Sequence, residues 1–285
     1  MSDERPIGFF DSGVGGLTVL REVVRRLPSE STIYLGDNAR APYGPRSDGE
    51  VSRFSAECLD ELAARDVKAI VVACNTASAV ALGQLRQRFD LPILGVVRPG
   101  AAAAVLSTRN RHVGVIATAA TVRSRAYFGA IKDEDPFVEV YEHATPELVP
   151  MVEAGVLDGP DAEQVVRRSL APLLEARQDV ADAVFPRPPG AGIDTLLLGC
   201  THYPLLAPLI SAVAGPDIAV IDSATATASA LASLLEVNGL AARRTELPRH
   251  TQFTTGDVAL FRRTTERLFG SLFVAVEAVE LAGAA

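Results

Sequence analysis

Short apolar runs recur along the chain at positions 6–10, 32–35, 69–73, 92–97, 113–116, 137–141, 195–198 and 218–221. Most are continuous rather than alternating. A strand that is apolar at every position is covered on both faces, as in a parallel sheet flanked by helices. Between these runs, apolar residues fall every three to four positions. Val51, Phe54, Cys58 and Leu62 form one stripe of a helix over 51–64. Further helices are predicted over 17–27, 78–89, 121–131, 161–176, 204–214 and 224–238. The first opens after a glycine-rich turn and stops before Pro28. Strands alternating with helices predict an α/β protein built of βαβ units, with mainly parallel sheets flanked by helices.

The expected domain division falls near Arg98-Pro99-Gly100. Residues 1–98 together with 222–285 are expected to form one α/β domain, and 99–221 a second. The segment 182–192 holds Pro186, Pro188, Pro189, Gly190 and Gly192 and reads as an irregular surface loop.

Composition narrows the picture. Of the 285 residues, 48% are hydrophobic and 22% charged, which suits a soluble globular protein. A net charge of −8 argues against a general nucleic-acid surface, which needs clustered cations. The polar, acidic start Met1-Ser2-Asp3-Glu4-Arg5 is unlike a signal peptide, and no apolar run approaches the ~20 residues that span a bilayer. Three cysteines without close spacing exclude a disulfide framework and fit a reducing cytoplasm. With no CxxC, HExxH or His cluster, no metal site is expected.

The candidate chemistry lies in two matching places. Cys74 ends the run Lys68–Ala73 and precedes Asn75-Thr76; Cys200 ends the run Asp194–Gly199 and precedes Thr201-His202. Each reads as a strand running into a thiol, then small hydrogen-bonding residues, then a helix. In parallel α/β sheets, ligands bind outside the carboxyl ends of the strands. A helix N-terminus there is expected to favour thiolate. Pro204 suits a first helical turn just after His202. A lone free cysteine is more often a small buried hydrophobe, and Cys58, on the apolar stripe of a helix, is read so. Two cysteines at equivalent strand ends point instead to function, and the repeated unit hints at pseudo-twofold symmetry.

Other candidates gather at the same edge. Asp11-Ser12-Gly13-Val14-Gly15-Gly16 follows the first strand and suits either an anion or a plain tight turn capped by Asp11. It is neither GxxxxGK[ST] nor GxGxxG, so a nucleotide is not supported. His202 can hydrogen-bond the Cys200 thiol or merely cap the following helix. Asp37 ends the second strand, and the Pro42-Tyr43-Gly44 turn after it can present backbone groups or simply connect elements. Thr76, Thr118, Thr121 and Thr201 offer neutral hydrogen bonds at strand ends or act as caps.

Two opposed thiols suit one reaction above others. Inverting a stereocentre removes a proton from one face of a carbon and returns one to the opposite face. A thiolate and a thiol do this without the substrate turning over, because a tuned thiol reaches both protonation states near neutrality. No lysine context for PLP is visible, so a cofactor-free two-base mechanism is the economical reading.

Five segments carry a family resemblance: Phe10–Val19; Tyr34-Leu35-Gly36-Asp37 with Pro42-Tyr43-Gly44-Pro45; Ala73-Cys74-Asn75-Thr76-Ala77-Ser78; Gly114-Val115-Ile116-Ala117-Thr118; and Gly199-Cys200-Thr201-His202-Tyr203-Pro204-Leu205-Leu206. In order, and spread over nearly the whole chain, they resemble the glutamate racemases of the aspartate/glutamate racemase superfamily. The resemblance implies two pseudo-symmetric α/β domains closing over glutamate, an active site in the cleft between them, no cofactor, frequent homodimers, and supply of D-glutamate for peptidoglycan. It implies that Cys74 and Cys200 are the acid/base thiols, that Asp11 assists Cys74 with Asp37 nearby, and that His202 partners Cys200. Glu153, in Pro150-Met151-Val152-Glu153, matches a further assisting carboxylate. Asp11, Ser12, Pro42, Tyr43, Gly44, Asn75, Thr76, Thr118, Thr121, Thr201 and His202 match the substrate-binding set. The chain departs from the family's pattern at Asn38, Arg98 and Thr145, where Thr, Glu and Cys are common. Other expectations are an aspartate or hydantoin racemase of the same fold, or a sensor that binds an amino acid without exchanging its α-proton; the sensor has no use for two thiols.

Overall fold

The continuous apolar runs become the inner strands of two parallel sheets. The structure, a computed structural model, describes residues 3–175, 192–243, 247–273 and 275–281. In chain order the first part runs β1 (Ile7–Asp11), α1 (Leu17–Arg26), β2 (Thr32–Gly36), α2 (Asp48–Ala64), β3 (Ala69–Val72), α3 (Asn75–Val80), α4 (Leu82–Arg88), β4 (Ile93–Gly95) and α5 (Val97–Ser107). It continues with β5 (His112–Ala117), α6 (Ala119–Ser124), α7 (Ala126–Glu134), β6 (Glu139–Ala144), α8 (Leu148–Glu153), α9 (Gly159–Glu175), β7 (Thr195–Gly199), α10 (Ala207–Ala214) and β8 (Ala219–Asp222). The last elements are α11 (Ala224–Val237), β9 (His250–Thr254), α12 (Val258–Phe269) and β10 (Val276–Ala278).

One sheet has the order β10-β9-β2-β1-β3-β4 and the other β6-β5-β7-β8, with parallel pairing throughout. β1 is fully buried because both its faces are covered. Ile7 and Phe9 pack with Leu17 and Leu20 of α1 and with Ala228 and Leu231 of α11. Phe10 points the other way and packs with Val51, Phe54 and Leu62 of α2. In the second sheet, Ile116, Leu196 and Leu198 face α8, α9 and α10, while Val113, Val115 and Leu197 face α5 and α7. Each such large side chain contributes about 1.5–3 kcal/mol on full burial, so the double-sided pattern fixes the layers.

Local chemistry sets the element ends. The α2 stripe predicted from Val51 begins three residues earlier, because Ser47 and Glu50 form a reciprocal capping box. Arg98-Pro99-Gly100 lies in the first turn of α5, where proline has no intrahelical N–H to lose. The strand expected over 92–97 therefore shortens. The helix expected over 78–89 is split between α3 and α4. That over 121–131 breaks at Arg125, which takes a left-handed φ of 57°. The strand expected over 137–141 lies at Glu139–Ala144 instead; it is an edge strand with a mixed, partly exposed pattern, so a search for apolar runs misplaces it. The expected loop 182–192 lies, except for Gly192, outside the described residues. After β8 the chain returns to the first sheet: α11 packs on α1, and β9 pairs with β2. Among the described residues, no helix is long and apolar enough to cross a membrane.

Candidate active site

Parallel pairing brings the carboxyl ends of β1, β2 and β3 together, and likewise those of β5 and β7. Asp11, the last residue of β1, is fully buried. Its Oδ2 accepts the Gly13 N–H at 2.9 Å and its Oδ1 accepts the Thr201 hydroxyl at 3.4 Å. Burial pushes the Asp11 carboxyl up, against the pull of His202 and these donors. The loop that follows touches the other half of the molecule at Gly15. A Cβ there would lie 2.4 Å from Thr201 Oγ1 and 2.6 Å from His202 Nδ1, so the approach requires glycine. Thr18 Oγ1 braces the same contact, 2.8 Å from Gly15 O and 3.0 Å from Thr201 O.

Cys74 leaves β3 in an extended conformation and occupies the cap position of α3. Its Sγ lies 3.6 Å from Ser12 Oγ. The sequence predicts a thiol lowered by the helix N-terminus, and the structure reverses that. Burial pushes the Cys74 thiol up to about 12, and the neighbouring Asp11 and Cys200 add to it; the Ala77 N–H and the Ser12 hydroxyl pull only partly back. A six-residue helix start is outweighed by desolvation beside a carboxylate.

Cys200 follows β7, and the chain enters a single 3-10 turn, Tyr203–Leu206, just after His202 as expected. Cys200 Sγ is 3.8 Å from His202 Nδ1, and His202 Nε2 is 3.2 Å from Glu153 Oε1. Burial alone would lower the His202 pKa, but its contacts with Cys200 and Glu153 outweigh burial and raise it to about 10. Glu153 ends α8, and Arg267 of α12 donates to its backbone carbonyl.

These ends enclose a cavity of about 250 Å³ with a mainly apolar lining. Cys74 and Cys200 both line it, each just past a strand of a different sheet, together with Ser12, Pro42, Tyr43, Gly44, Asn75, Thr76, Thr118, Glu153, Thr201 and His202. Hydroxyls bridge the two halves: Thr76 Oγ1 and Thr118 Oγ1 are 2.8 Å apart. Thr121 stands behind them, 3.0 Å from Thr118 Oγ1. Asp11 and Asp37 also lie behind the wall rather than in it. Sequence reasoning gave no site role to Thr145, which it noted only as a departure from the family's pattern, nor to Pro146, Val149 and Pro150; these form the wall beside β6 and α8. Thr145 is held by Tyr203, whose hydroxyl is 2.7 Å from Thr145 Oγ1. No motif marks these residues; only the packing of α8 against β7 and its following turn brings them in. Among the described residues, no group of three or more His, Cys, Asp or Glu is placed to hold a metal ion.

The Asp/Glu/Hydantoin racemase family matches residues 7–231. A glutamate racemase of Oceanobacillus iheyensis is 44% identical over 266 residues, 93% of this chain and 92% of its own. A glutamate racemase isoform of Bacillus anthracis superposes with a TM-score of 0.89 at 42% identity, over 98% of both chains. The glutamate racemase of Francisella tularensis, solved in complex with D-glutamate, gives a TM-score of 0.85 at 33% identity, again over 98% of both. Matched over most of its length in sequence and in fold, the chain belongs to the Asp/Glu/Hydantoin racemase family.

Proposed function

We propose that this racemase interconverts L-glutamate and D-glutamate by a two-base mechanism carried by Cys74 and Cys200, without a cofactor. One observation carries the reading: Cys74 and Cys200, each at the end of a strand of a different sheet, line the same small cavity. The glutamate racemases that resemble the chain over most of its length, one of them solved with D-glutamate, support the choice of substrate.

From L-glutamate, the Cys200 thiolate takes the α-proton, and the electron pair left on carbon spreads into the α-carboxylate. The Cys74 thiol then delivers its proton to the opposite face, giving D-glutamate and a Cys74 thiolate. The reverse reaction exchanges the roles. His202, held by Glu153, stabilises negative charge on the Cys200 sulfur, and Asp11 assists Cys74 from behind. Burial and the neighbouring Asp11 push the Cys74 thiol up, which favours the protonated form its role as donor requires. Ser12, Asn75, Thr76, Thr118, Thr201 and the Pro42-Tyr43-Gly44 turn hold the substrate, with Thr121 supporting Thr118. A largely apolar cavity strengthens every one of these contacts. The reading extends to two domains, 1–98 with 222–285 and 99–221, closing on the cavity, a homodimer, a cytoplasmic location, and supply of D-glutamate to peptidoglycan.

The test is racemisation in D2O with no added PLP or metal. Product should carry deuterium at the α-carbon, and Cys74→Ser or Cys200→Ser should each lower turnover by about 10²–10⁴-fold. Full turnover in both single variants refutes the mechanism; preference for aspartate refutes the substrate.

A further inference from the structure

Asp37 ends the β2 edge of the site, yet none of its carboxylate faces the cavity. The residue is fully buried. Its Oδ1 accepts the Thr255 hydroxyl at 2.7 Å, and its Oδ2 accepts the Arg40 Nε–H at 2.7 Å and the Tyr43 hydroxyl. Three donors hold it: Arg40 and Thr255 lie outside the cavity lining, whereas Tyr43 belongs to it and links the carboxylate to the wall.

The partners show what this arrangement holds. Tyr43 is buried between Phe10 and Phe54, with ring centroids 6.2 Å and 5.8 Å away. Arg40 is itself pinned, paired with Glu57 and seated 4.3 Å over the Phe54 ring. Thr255 comes from the loop after β9, more than two hundred residues later in the chain. That loop also receives the Ala39 N–H on Thr255 Oγ1 at 3.1 Å, and Thr254 Oγ1 donates to Asn38 Oδ1 at 3.1 Å. The 37–43 segment is thus gripped from the returning C-terminal part at Asn38, Ala39 and Asp37. Its far end, Pro42-Tyr43-Gly44, forms one wall of the cavity and reaches the second sheet's elements, where Gly44 O accepts the Ala120 N–H at 3.2 Å.

We propose that Asp37 and Thr255 are positioning residues: a hydroxyl–carboxylate–phenol chain from the β9 loop fixes the Pro42–Gly44 turn so that it binds substrate, and Asp37 exchanges no proton with the substrate. This rests on the reading of the cavity as the glutamate site. It departs from the family resemblance, which sets Asp37 beside Asp11 and Cys74 at the reacting end of the site. It also gives β9 and the loop after it a part in the site, although β9 contributes no residue to the cavity lining.

The experiment compares Asp37→Asn, Thr255→Val, Tyr43→Phe and the Asp37→Asn/Tyr43→Phe double variant with the wild type. The carboxylate receives charge-assisted hydrogen bonds, so Asp37→Asn should raise KM for glutamate by about tenfold. Thr255→Val should raise it by a few fold, and kcat should stay within about threefold in both. The double variant should be no worse than the poorer single one, because one chain of contacts is broken once. The pH–rate profile should keep its limbs in Asp37→Asn. Without any ligand, amide hydrogen exchange over 41–46 should quicken in Asp37→Asn and Thr255→Val. A hundredfold loss of kcat at unchanged KM, or a displaced pH limb, overturns the proposal in favour of proton transfer by Asp37. Unchanged KM and unchanged exchange overturn it as well. If Asp37→Asn fails to fold, Thr255→Val and Tyr43→Phe decide by the same two readouts. A wild type that does not turn over glutamate removes the substrate reading, while the exchange measurement still decides whether the clamp exists.

Discussion

Alanine at position 15 tests how the two halves of the site meet. The added Cβ would lie 2.4 Å from Thr201 Oγ1, 2.6 Å from His202 Nδ1 and 2.7 Å from His202 Cε1. Relaxed contacts between heavy atoms need roughly 3.5 Å, so one side must yield by about 1 Å. Neither side has a free neighbour. Thr201 is tied to Asp11 and, through its carbonyl, to Thr18; His202 is tied to Cys200 and Glu153. Overpacking of this kind costs about 1–3 kcal/mol of stability. A displacement of that size at a reacting group costs on the order of 10²-fold in rate. Gly13 is the control in the same loop: its added Cβ meets only Asn38 Nδ2 at 3.6 Å and Glu153 Oε1 at 3.8 Å. Racemisation followed by circular dichroism, with urea unfolding in parallel, should show Gly15→Ala losing about a hundredfold in kcat/KM, and Gly13→Ala changing by less than about threefold. If Gly15→Ala keeps wild-type activity and stability, the loop after β1 does not press against Thr201-His202, and the reasoning fails.

Two further outcomes follow from buried charges. His202, raised from 6.5 to about 10 in the native state, contributes stability that is complete below pH 6.5 and lost as the pH rises through about 10. The gap in urea midpoint between wild type and His202→Gln should therefore close over that interval, and a gap independent of pH would contradict the Cys200–His202–Glu153 arrangement. Lys68 is buried with its Nζ 2.6 Å from Glu30 Oε2 and 2.7 Å from Asp3 O. Lys68→Met leaves the buried Glu30 carboxylate without its cation, with the Ala242 N–H still on Oε1, and should destabilise the fold by about 3–5 kcal/mol in urea titration; adding Glu30→Gln should restore much of it, and no loss in the single variant would mean the pair carries little.

Much of the candidate site is legible in the sequence, because its residues sit where strands end. A run of buried residues stopping at a thiol marks the carboxyl edge of a parallel sheet, and both Cys74 and Cys200 lie there. Glu153 carries no such mark: it ends a short helix and enters the cavity only because α8 packs against the turn after β7. The strand His250–Thr254 was invisible for a related reason. Its sequence, His-Thr-Gln-Phe-Thr, holds a single large apolar residue, and its place is set by backbone pairing with β2 rather than by apolar burial. The direction of the Cys74 shift was misread because helix polarity can be judged from neighbours in sequence, whereas desolvation and Asp11's proximity cannot.

The amino-acid order alone determined the alternation of double-covered strands with amphipathic helices and the residue types at each strand end, since these depend on local periodicity and turn chemistry. The tertiary structure alone decided that the two thiols share one cavity, that α8 brings Glu153 to His202, and that Asp37 turns away toward Thr255. Those outcomes depend on contacts between residues far apart in the chain, whose distances are set by how sheets and helices pack and leave no trace in local pattern.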